Sequence, residues 1–440
     1  MGLKPDREAS PSAGSSSDVW LEELAGRVPA LASLLNASPS QQIALGYRHT
    51  LREICQQPST WLETCENALE RRAALARAVY DTKQAAALVL TGSGSSLYAG
   101  DCLVLPLQGS LGVPVVSLSG GQLLTDGIRV LPPCTPRLIV SFARSGNSPE
   151  SCGVVDHLLE EDPSCRHLAI TCNRTGKLAT SYDGNPRVTA LTLADRTCDR
   201  SLVMTSSFTN MVLAGLSLAY LEEPAEYRRV TGALASAARA LLLSHTGCLA
   251  EMARKPFTSA VFLASGPSFG AARESALKLL ESTSGRVRAF PETYLGLRHG
   301  PMAAVHDDTL LVCFLSSNPL VRAYEFDLIE ELDRKKLGLA KVIVGDEIPT
   351  GFLNPQDLAV ACPGTAAAGD DAAPVVHVLA GQLMAFFRCM HEGLHPDAPS
   401  VDGVISRVVE NFFIHRSLPS AGEADVRQVR PPGPIAEEFD

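Results

Sequence analysis

The sequence lacks the residue patterns that hold a metal ion. Its 12 cysteines are scattered, with no CxxC pair and no His/Cys cluster at the spacing of zinc ligands. Scattered cysteines are typical of buried free thiols in a reducing compartment. We therefore predict a cytoplasmic protein without a metal ion.

Positive charge and long apolar runs are also scarce. Lys and Arg number 38 against 48 Asp and Glu, a formal net charge of −10, which argues against a nucleic-acid partner because phosphate neutralisation needs clustered basic residues. The Ser-rich start has no apolar core of a signal peptide. The apolar run Met211 to Leu221 is shorter than the roughly 20 residues that span a bilayer. We expect no membrane partner.

What the sequence does contain is a repeat. The run LVLTGSGSSLYAG resembles VFLASGPSFGAA, and pairing Gly94 with Gly266 gives an offset of 172 (266 − 94). RLIVSFARS with TLLVCFLSS, HLAITCN with LAKVIVG, and Val188 with Val360 share that offset. VLAGLSLA and VLAGQLMA pair at 166 (378 − 212). Four strand-like runs in one order at one offset indicate two copies of one domain.

Each copy alternates short Val/Leu/Ile-rich runs with helical patterns, which predicts an α/β fold with a buried parallel sheet. The 440 residues allow two domains and tails. We divide the chain into a flexible tail and the start of a helical segment (1–45), N-terminal helices (46–80), the first domain (81–235), the second domain (250–395) and a C-terminal segment with a flexible tail (396–440). We expect about the first twenty residues to lack fixed structure.

In such folds ligands bind outside the carboxyl ends of the strands. Two loops of the first copy carry hydroxyls there, namely GSGSS, with Ser95 and Ser96, and ARSGNS, with Arg144, Ser145, Asn147 and Ser148. Glycine allows a close approach of the backbone, and free amides at a helix start favour an anion. The loops predict a phosphate monoester as ligand, although the same serines can simply cap helices.

Two nucleotide-binding patterns are absent from these loops. GSGSS is not GxGxxG, and no GxxxxGK[ST] occurs. In the second copy the corresponding loops, ASGPS and LSSNP, have fewer hydroxyls and contain proline. We expect that copy to keep the fold and to have a different role.

The second copy instead carries charge. Glu274, Lys278 and Glu281 recur at i, i+4 and i+7, on one helical face. A solvated face with ion pairs is the simpler interpretation. However, the polar segment Arg298-His299-Gly300-Pro301 follows closely, and a histidine near a Glu/Lys face is a candidate for proton transfer near neutral pH.

Several separate stretches resemble one family. EICQQPSTWLET, RSGNSPES, DRSLVMTSSFTNM, YLGLRHGP and ISRVVENFFIH, spread over residues 45 to 415, are similar to segments of galactosamine-6-phosphate deaminase/isomerases, also called tagatose-6-phosphate ketose/aldose isomerases. That family lies within the sugar isomerase (SIS) domain superfamily. The resemblance implies two tandem flavodoxin-like SIS domains with flanking helices.

The resemblance also implies roles for individual residues. Ser96, Ser145 and Ser148, with Ser95 beside them, match phosphate-binding hydroxyls. Glu281 matches the carboxylate that moves a proton between C1 and C2 of the opened sugar, and Lys278 matches a lysine of the same site. His299 matches the ring-opening histidine, which in the isomerase half of glucosamine-6-phosphate synthase comes from the neighbouring subunit. Ala143 departs from that synthase, which has serine there.

From these matches we predict a deaminating isomerase of a 2-amino-2-deoxy-hexose 6-phosphate. The expected conversion is galactosamine-6-phosphate to tagatose-6-phosphate plus ammonia, with no cofactor and with a homodimer or larger homo-oligomer as the assembly. A plain aldose–ketose isomerase needs the same residues. A non-catalytic phosphosugar sensor keeps the Ser/Gly loops but does not need Glu281 and His299.

Overall fold

A computed structural model describes residues 16–80, 86–409 and 413–415. It contains two sheets of five parallel strands. In the first sheet these are Ala87–Gly92 (β1), Val115–Ser119 (β2), Arg137–Ala143 (β3), Arg166–Thr171 (β4) and Val188–Thr192 (β5). In the second they are Ser259–Ala264 (β6), Arg288–Thr293 (β7), Thr309–Phe314 (β8), Ala340–Gly345 (β9) and Leu358–Ala361 (β10).

Both sheets have the same topology. The order is β2-β1-β3-β4-β5 in the first and β7-β6-β8-β9-β10 in the second, and all neighbours are parallel. This is the flavodoxin-like order 2-1-3-4-5. The predicted fold class, α/β with two tandem parallel sheets and flanking helices, is confirmed. β1 and β6 begin at Ala87 and Ser259, which are 172 residues apart (259 − 87).

Helices cover both faces of each sheet, so the central strands are buried throughout. Before the first sheet lie Ser16–Arg27 (α1), Pro29–Leu35 (α2), Pro39–Ala44 (α3), Arg48–Cys55 (α4), Gln57–Glu70 (α5) and Arg72–Tyr80 (α6). The first copy has Ser95–Asp101 (α7), Val104–Leu111 (α8), Gly120–Asp126 (α9), Pro149–Glu161 (α10), Lys177–Thr180 (α11) and Ser206–Leu216 (α12). Pro224–Ala253 (α13) leads to Ser268–Ser282 (α14), Tyr294–Leu297 (α15), Pro319–Lys335 (α16), Thr365–Ala368 (α17) and Pro374–His391 (α18).

The helical segment starts earlier than the sequence predicts. α1 begins at Ser16, within the twenty or so residues that we expected to lack structure, whereas α2 and α3 lie within residues 1–45, where we expected the helical segment to start. Apolar side chains anchor α1, since Leu24 is fully buried and the indole N–H of Trp20 donates to the carbonyl of Cys55 at 2.9 Å. The predicted tails at residues 1–15 and 416–440 lie outside the described residues.

The two sheets are joined by α13, a helix of 30 residues. The predicted domain boundary, between residues 235 and 250, lies inside this helix. We considered the apolar run Met211 to Leu221 and missed the longer α13. Among the described residues α13 alone has the length and apolar composition to cross a membrane, with a mean hydropathy of 1.2 over its most apolar stretch. Half of that stretch is buried, and α13 packs against α5 and α18, as a core helix does.

Two equivalent helices, α7 and α14, cross in close contact. A Cβ atom at Gly270 of α14 would lie 2.5 Å from Sγ and 2.7 Å from the amide nitrogen of Cys102. Only glycine allows this approach of backbone to backbone. An ion pair between Arg273 and Asp101 flanks the crossing. The contact brings the helix of the second copy against the hydroxyl-bearing loop of the first.

Candidate active site

The two hydroxyl-bearing loops of the first copy lie side by side. β1 pairs with β3, with Thr91 opposite Ser141, so the loops that follow these strands leave the same edge of the sheet. β2 lies on the other side of β1. The crevice between β1 and β3 is therefore the topological switch point at which such sheets bind ligands.

The loop after β1 turns sharply before α7. Gly94 has a φ of +56°, a conformation that favours glycine. Ser95 and Ser96 follow at the start of α7 and are 5% and 6% exposed. Their hydroxyls are thus held in a shielded position at the crevice.

The loop after β3 also turns at a glycine with positive φ, Gly146 at +61°. The hydroxyl oxygen of Ser148 accepts from the amide of Ser151 at 3.3 Å and caps α10. The side-chain oxygen of Asn147 accepts from the amide of Lys177 at 3.0 Å. The hydroxyl of Ser145 accepts from the amide of Asn147 at 3.3 Å, and its hydrogen has no acceptor among the described residues. Ser145 is therefore the hydroxyl of this loop that is best placed to donate to a ligand.

Arg144 does not direct its guanidinium into the loop. It is 7% exposed and donates to the carbonyls of Ser201 at 3.1 Å, Leu202 at 2.9 Å and Arg407 at 2.7 Å. These bonds hold the segment after β5 and the C-terminal segment beside the loop. The phosphate contact that the sequence predicts for Arg144 has no counterpart in this arrangement.

Lys278 links the two copies of the domain. Its ammonium group lies on α14, donates to the hydroxyl of Ser95 at 3.1 Å and pairs with the carboxylate of Glu281 at 2.6 Å. Glu274 lies one turn earlier on the same face, fully buried, with one carboxylate oxygen 3.4 Å from the ammonium nitrogen. The Glu/Lys face is therefore a buried cluster at the first copy's crevice, and the prediction's simpler alternative of a solvated face is wrong.

Burial and charge act against each other in this cluster. Burial raises the pKa of Glu274 to about 7, although the neighbouring Lys278 lowers it. Burial alone would lower the pKa of Lys278, but Glu274 and Glu281 outweigh it and raise that pKa. Lys278 therefore stays charged near neutral pH. Glu281 keeps 24% of its side chain exposed, so a ligand in the crevice can reach its carboxylate.

His299 is separated from this cluster within one chain. α14 connects the parallel strands β6 and β7, so it runs back to the amino edge of the second sheet, and Glu281 lies in its last turn. His299 follows β7 and α15 at the carboxyl edge, is exposed, and its imidazole has no partner among the described residues. The proximity of His299 to the Glu/Lys face, expected from their closeness in sequence, is absent because the two segments leave opposite edges of the sheet.

The chain is similar to known proteins over nearly their whole length. The chain is 34% identical over 372 residues to the D-galactosamine-6-phosphate deaminase AgaS of Escherichia coli, a match that covers 83% of the chain and 95% of the relative. The chain belongs to the AgaS family of SIS-domain proteins. No family model matches it.

Solved structures agree with this membership. The AgaS-family chain superposes on the tagatose-6-phosphate ketose/aldose isomerase of Escherichia coli with a TM-score of 0.77 at 31% identity, covering 86% of this chain and 98% of that one. The C-terminal domain of glucosamine-fructose-6-phosphate aminotransferase from Francisella tularensis shares the fold, with a TM-score of 0.69 at 18% identity over 82% of this chain. Membership indicates an enzyme that acts on sugar phosphates.

In the second copy of this AgaS-family chain an internal carboxylate occupies the loop equivalent to the one after β3. Ser317, which matches Ser145 at the offset of 172 (317 − 145), donates its amide and hydroxyl to Asp370 at 2.7 and 2.6 Å. The hydroxyl of Ser316 also donates to Asp370. The loop is therefore built to hold an anion, and here the chain supplies that anion itself.

A second carboxylate network supports the first copy's site and was not found from the sequence. Asp199 is fully buried and accepts from the amides of Thr205, Ser206 and Ser207 at 2.7 to 3.1 Å, which caps α12. Glu53 of α4 accepts from the amide of Ser201 at 3.3 Å. The motifs EICQQP and DRSLVMTSSF signal the family, but no spacing within them shows that these carboxylates face the same loop.

Proposed function

We propose that the chain converts a 2-amino-2-deoxy-hexose 6-phosphate, with galactosamine-6-phosphate as the first candidate, into the corresponding ketose 6-phosphate and ammonia. The observation that carries the proposal is the bridge made by Lys278 between Ser95 and Glu281. It joins the loops suited to a phosphate with the only carboxylate of the cluster that is partly exposed. The name of the related AgaS deaminase suggests the substrate class.

In this mechanism the phosphate is held by Ser95, Ser96 and Ser145 at the end of the sugar that does not react. This anchoring makes the proton transfer effectively intramolecular. Ser148 contributes through its cap of α10, which fixes the loop, and Asn147 through its bond to the next segment. The Asp370 contact in the second copy supports the assignment, since the equivalent loop there holds a carboxylate.

The reaction then needs one mobile proton. The opened amino sugar has an aldehyde at C1 and an amine at C2. Glu281 removes the C2 proton and returns it to C1, both within reach of one carboxylate. The C1 oxygen gains a proton and the amine loses one, so the product is a ketimine at C2 with a hydroxyl at C1, and water then adds to C2 before ammonia leaves. Lys278, which stays charged, stabilises the negative charge that develops on the C1 oxygen.

Ring opening requires a further proton transfer at the sugar's C1 and C5 oxygens. We assign it to His299 of a neighbouring subunit, because His299 and Glu281 of one chain lie at opposite edges of the second sheet. The active enzyme is therefore a homodimer or larger. The exposed imidazole is free of partners among the described residues, as a group that reaches into another chain needs to be.

The decisive experiment incubates the protein with galactosamine-6-phosphate and glucosamine-6-phosphate and assays ammonia and ketose phosphate separately. We expect both products in equal amounts from one amino sugar, and neither with a Glu281→Gln variant. Glu330, an exposed glutamate on α16, supplies the control variant Glu330→Gln. Ketose formed only from a neutral aldose phosphate would establish plain isomerisation instead. Tight binding without any product would indicate a sensor.

A further inference from the structure

A basic cleft lies outside the proposed active site. It has a volume of about 490 Å³ and lies between α4 and the segment that follows β5. Four arginines line it, two from each element, with His49, Gln56 and Cys198 beside them: Arg48, Arg52, Arg196 and Arg200. Such a concentration of positive charge is unexpected in a chain with a formal net charge of −10.

The acidic residues near the cleft do not neutralise it. Glu63 pairs with Arg196 at 2.5 Å, and Asp195 of the cleft wall pairs with Arg174 at 2.8 Å, outside the cleft. The remaining arginines, at positions 48, 52 and 200, have no carboxylate within ion-pair distance among the described residues. Three positive charges therefore face the cleft without a partner.

Glu53, the other acidic residue of the wall, is bonded to the backbone of the segment that follows β5. Its carboxyl accepts from the amides of Arg200 at 2.5 Å and Ser201 at 3.3 Å. Burial and the nearby Asp199 raise the pKa of Glu53 to about 8. It therefore contributes little negative charge to the cleft near neutral pH.

One donor in the wall is buried and unsatisfied. The Nε atom of Arg52 has no exposed surface and no hydrogen-bond acceptor among residues 16–80, 86–409 and 413–415. A buried donor without an acceptor costs stability. Apart from that atom, guanidinium groups suit the geometry of a phosphate, and the arginines that line the cleft therefore match a phosphate-bearing ligand.

We propose that this cleft is a second anion site, which binds the phosphate group of a small metabolite and adjusts the affinity of the sugar-phosphate site. Arg200 and Ser201 form the link between the sites. The amide of Arg200 lies at the cleft, and the carbonyl of Ser201 accepts from Arg144, the residue that precedes Ser145. We expect a ligand that fixes this segment to restrict the motion of the substrate loop. By thermodynamic linkage, cleft binding and sugar-phosphate binding then change each other's affinity by the same factor.

The test titrates inorganic phosphate and, separately, glucose 6-phosphate into the full chain by calorimetry. A Ser145→Ala background weakens the proposed substrate loop and isolates the cleft. In that background we expect one phosphate group per chain to bind, and Arg48→Gln/Arg52→Gln to weaken this binding by about tenfold or more. The control is Arg254→Gln/Arg334→Gln, which removes the same charge from two exposed positions and is expected to change nothing.

The two probes distinguish free phosphate from phosphate carried on a sugar, since binding of glucose 6-phosphate alone identifies a phosphate ester as the ligand. Binding that is abolished by Ser145→Ala and unaffected by Arg48→Gln/Arg52→Gln would overturn the second site and leave the proposed function intact. Binding that is unaffected by Ser145→Ala and abolished by Arg48→Gln/Arg52→Gln would support the cleft and contradict the phosphate role of Ser145. If the arginine variant instead dissociates the oligomer in sedimentation, the cleft is an interface between copies and the inference is wrong.

Discussion

The carboxylate of Asp370 accepts hydrogen bonds from both the amide and the hydroxyl of Ser317, at 2.7 and 2.6 Å. Burial alone would raise the pKa of Asp370, but hydrogen bonds from Ser316 and Ser317 outweigh it and lower that pKa. The second copy thus contains a loop that holds an anion, and that anion is a side-chain carboxylate of the same chain. This explains how two copies of one fold can differ in role while keeping the same loop.

Asp370→Asn should destabilise the protein at neutral pH by about 1–3 kcal/mol, because it removes a hydrogen-bonded charge. A depressed carboxyl pKa gives stability that is present above the pKa of the unfolded chain and lost as the pH falls through the folded value. Urea unfolding at several pH values should therefore show the difference from wild type shrinking in acid. A constant difference would mean that the charge of Asp370 is irrelevant to this contact.

Ser145→Ala should weaken binding of a sugar phosphate by roughly 1–3 kcal/mol, the contribution of a hydrogen bond to a charged group. The unphosphorylated sugar should bind as before. Ser317→Ala is the matched control, since it makes the same change in the loop that Asp370 occupies. Equal losses for phosphorylated and unphosphorylated sugar in direct binding measurements would exclude a phosphate contact.

Glu281→Gln should impair turnover, whereas Glu274→Gln should impair stability. Loss of the partly exposed Glu281 should reduce turnover by about 10²–10⁴-fold, as expected for a missing general base, with little change in substrate affinity. Glu274 is fully buried against Lys278, so its replacement should act mainly through stability. Exchange of the C2 proton with solvent reports the step directly. Wild-type exchange in the Glu281→Gln protein would assign the base elsewhere.

Hybrids of two inactive variants should recover activity. If His299 serves a neighbour's site, mixing Glu281→Gln with His299→Ala chains creates some sites that contain both wild-type residues. Partial turnover should appear only after the chains have exchanged, which differently tagged subunits can verify. Two Glu281→Gln populations mixed in the same way provide the control. Inactive hybrids of proven composition would favour a site built from one chain.

His167 should make the fold sensitive to acid. It is 1% exposed, neither ring nitrogen has a partner among the described residues, and burial lowers its pKa to about 4. The unfolded chain binds this proton more readily, so stability falls as the pH drops from about 6.5 to about 4. Between pH 7 and pH 5 the wild type should lose about 2 kcal/mol more than His167→Phe.

The measurement is the free energy of unfolding in urea at both pH values. His306→Gln, which changes an exposed histidine, should follow the wild type. Parallel curves for wild type and His167→Phe would show that this imidazole is not buried in its neutral form.

The sequence predicts those features that are local. Alternating apolar runs indicate the parallel sheets, and the glycines at 94 and 146 mark loops that the structure also turns with positive φ. The i, i+4, i+7 spacing places Glu274, Lys278 and Glu281 on one face, and the structure places them together.

Features that depend on contacts between distant segments could not be predicted. Asp370 lies 53 residues from Ser317 (370 − 317), in a stretch of small residues that carries no motif. The direction of the Arg144 side chain depends on carbonyls at positions 201, 202 and 407. Closeness in sequence was also misleading for Glu281 and His299, because the strand between them carries the chain across the sheet.

The contact of Gly270 with Cys102 limits how sequences of this kind can diverge. Backbone atoms of Tyr98 and Cys102 lie almost as close to position 270 as the Cys102 side chain, so trimming that side chain would not make room for a larger residue at position 270. We expect a larger residue at position 270 to push α7 and α14 apart and so to lengthen the contact of Lys278 with Ser95. The absence of a side chain at position 270 therefore fixes the spacing between the hydroxyl-bearing loop of the first copy and the charged cluster of the second.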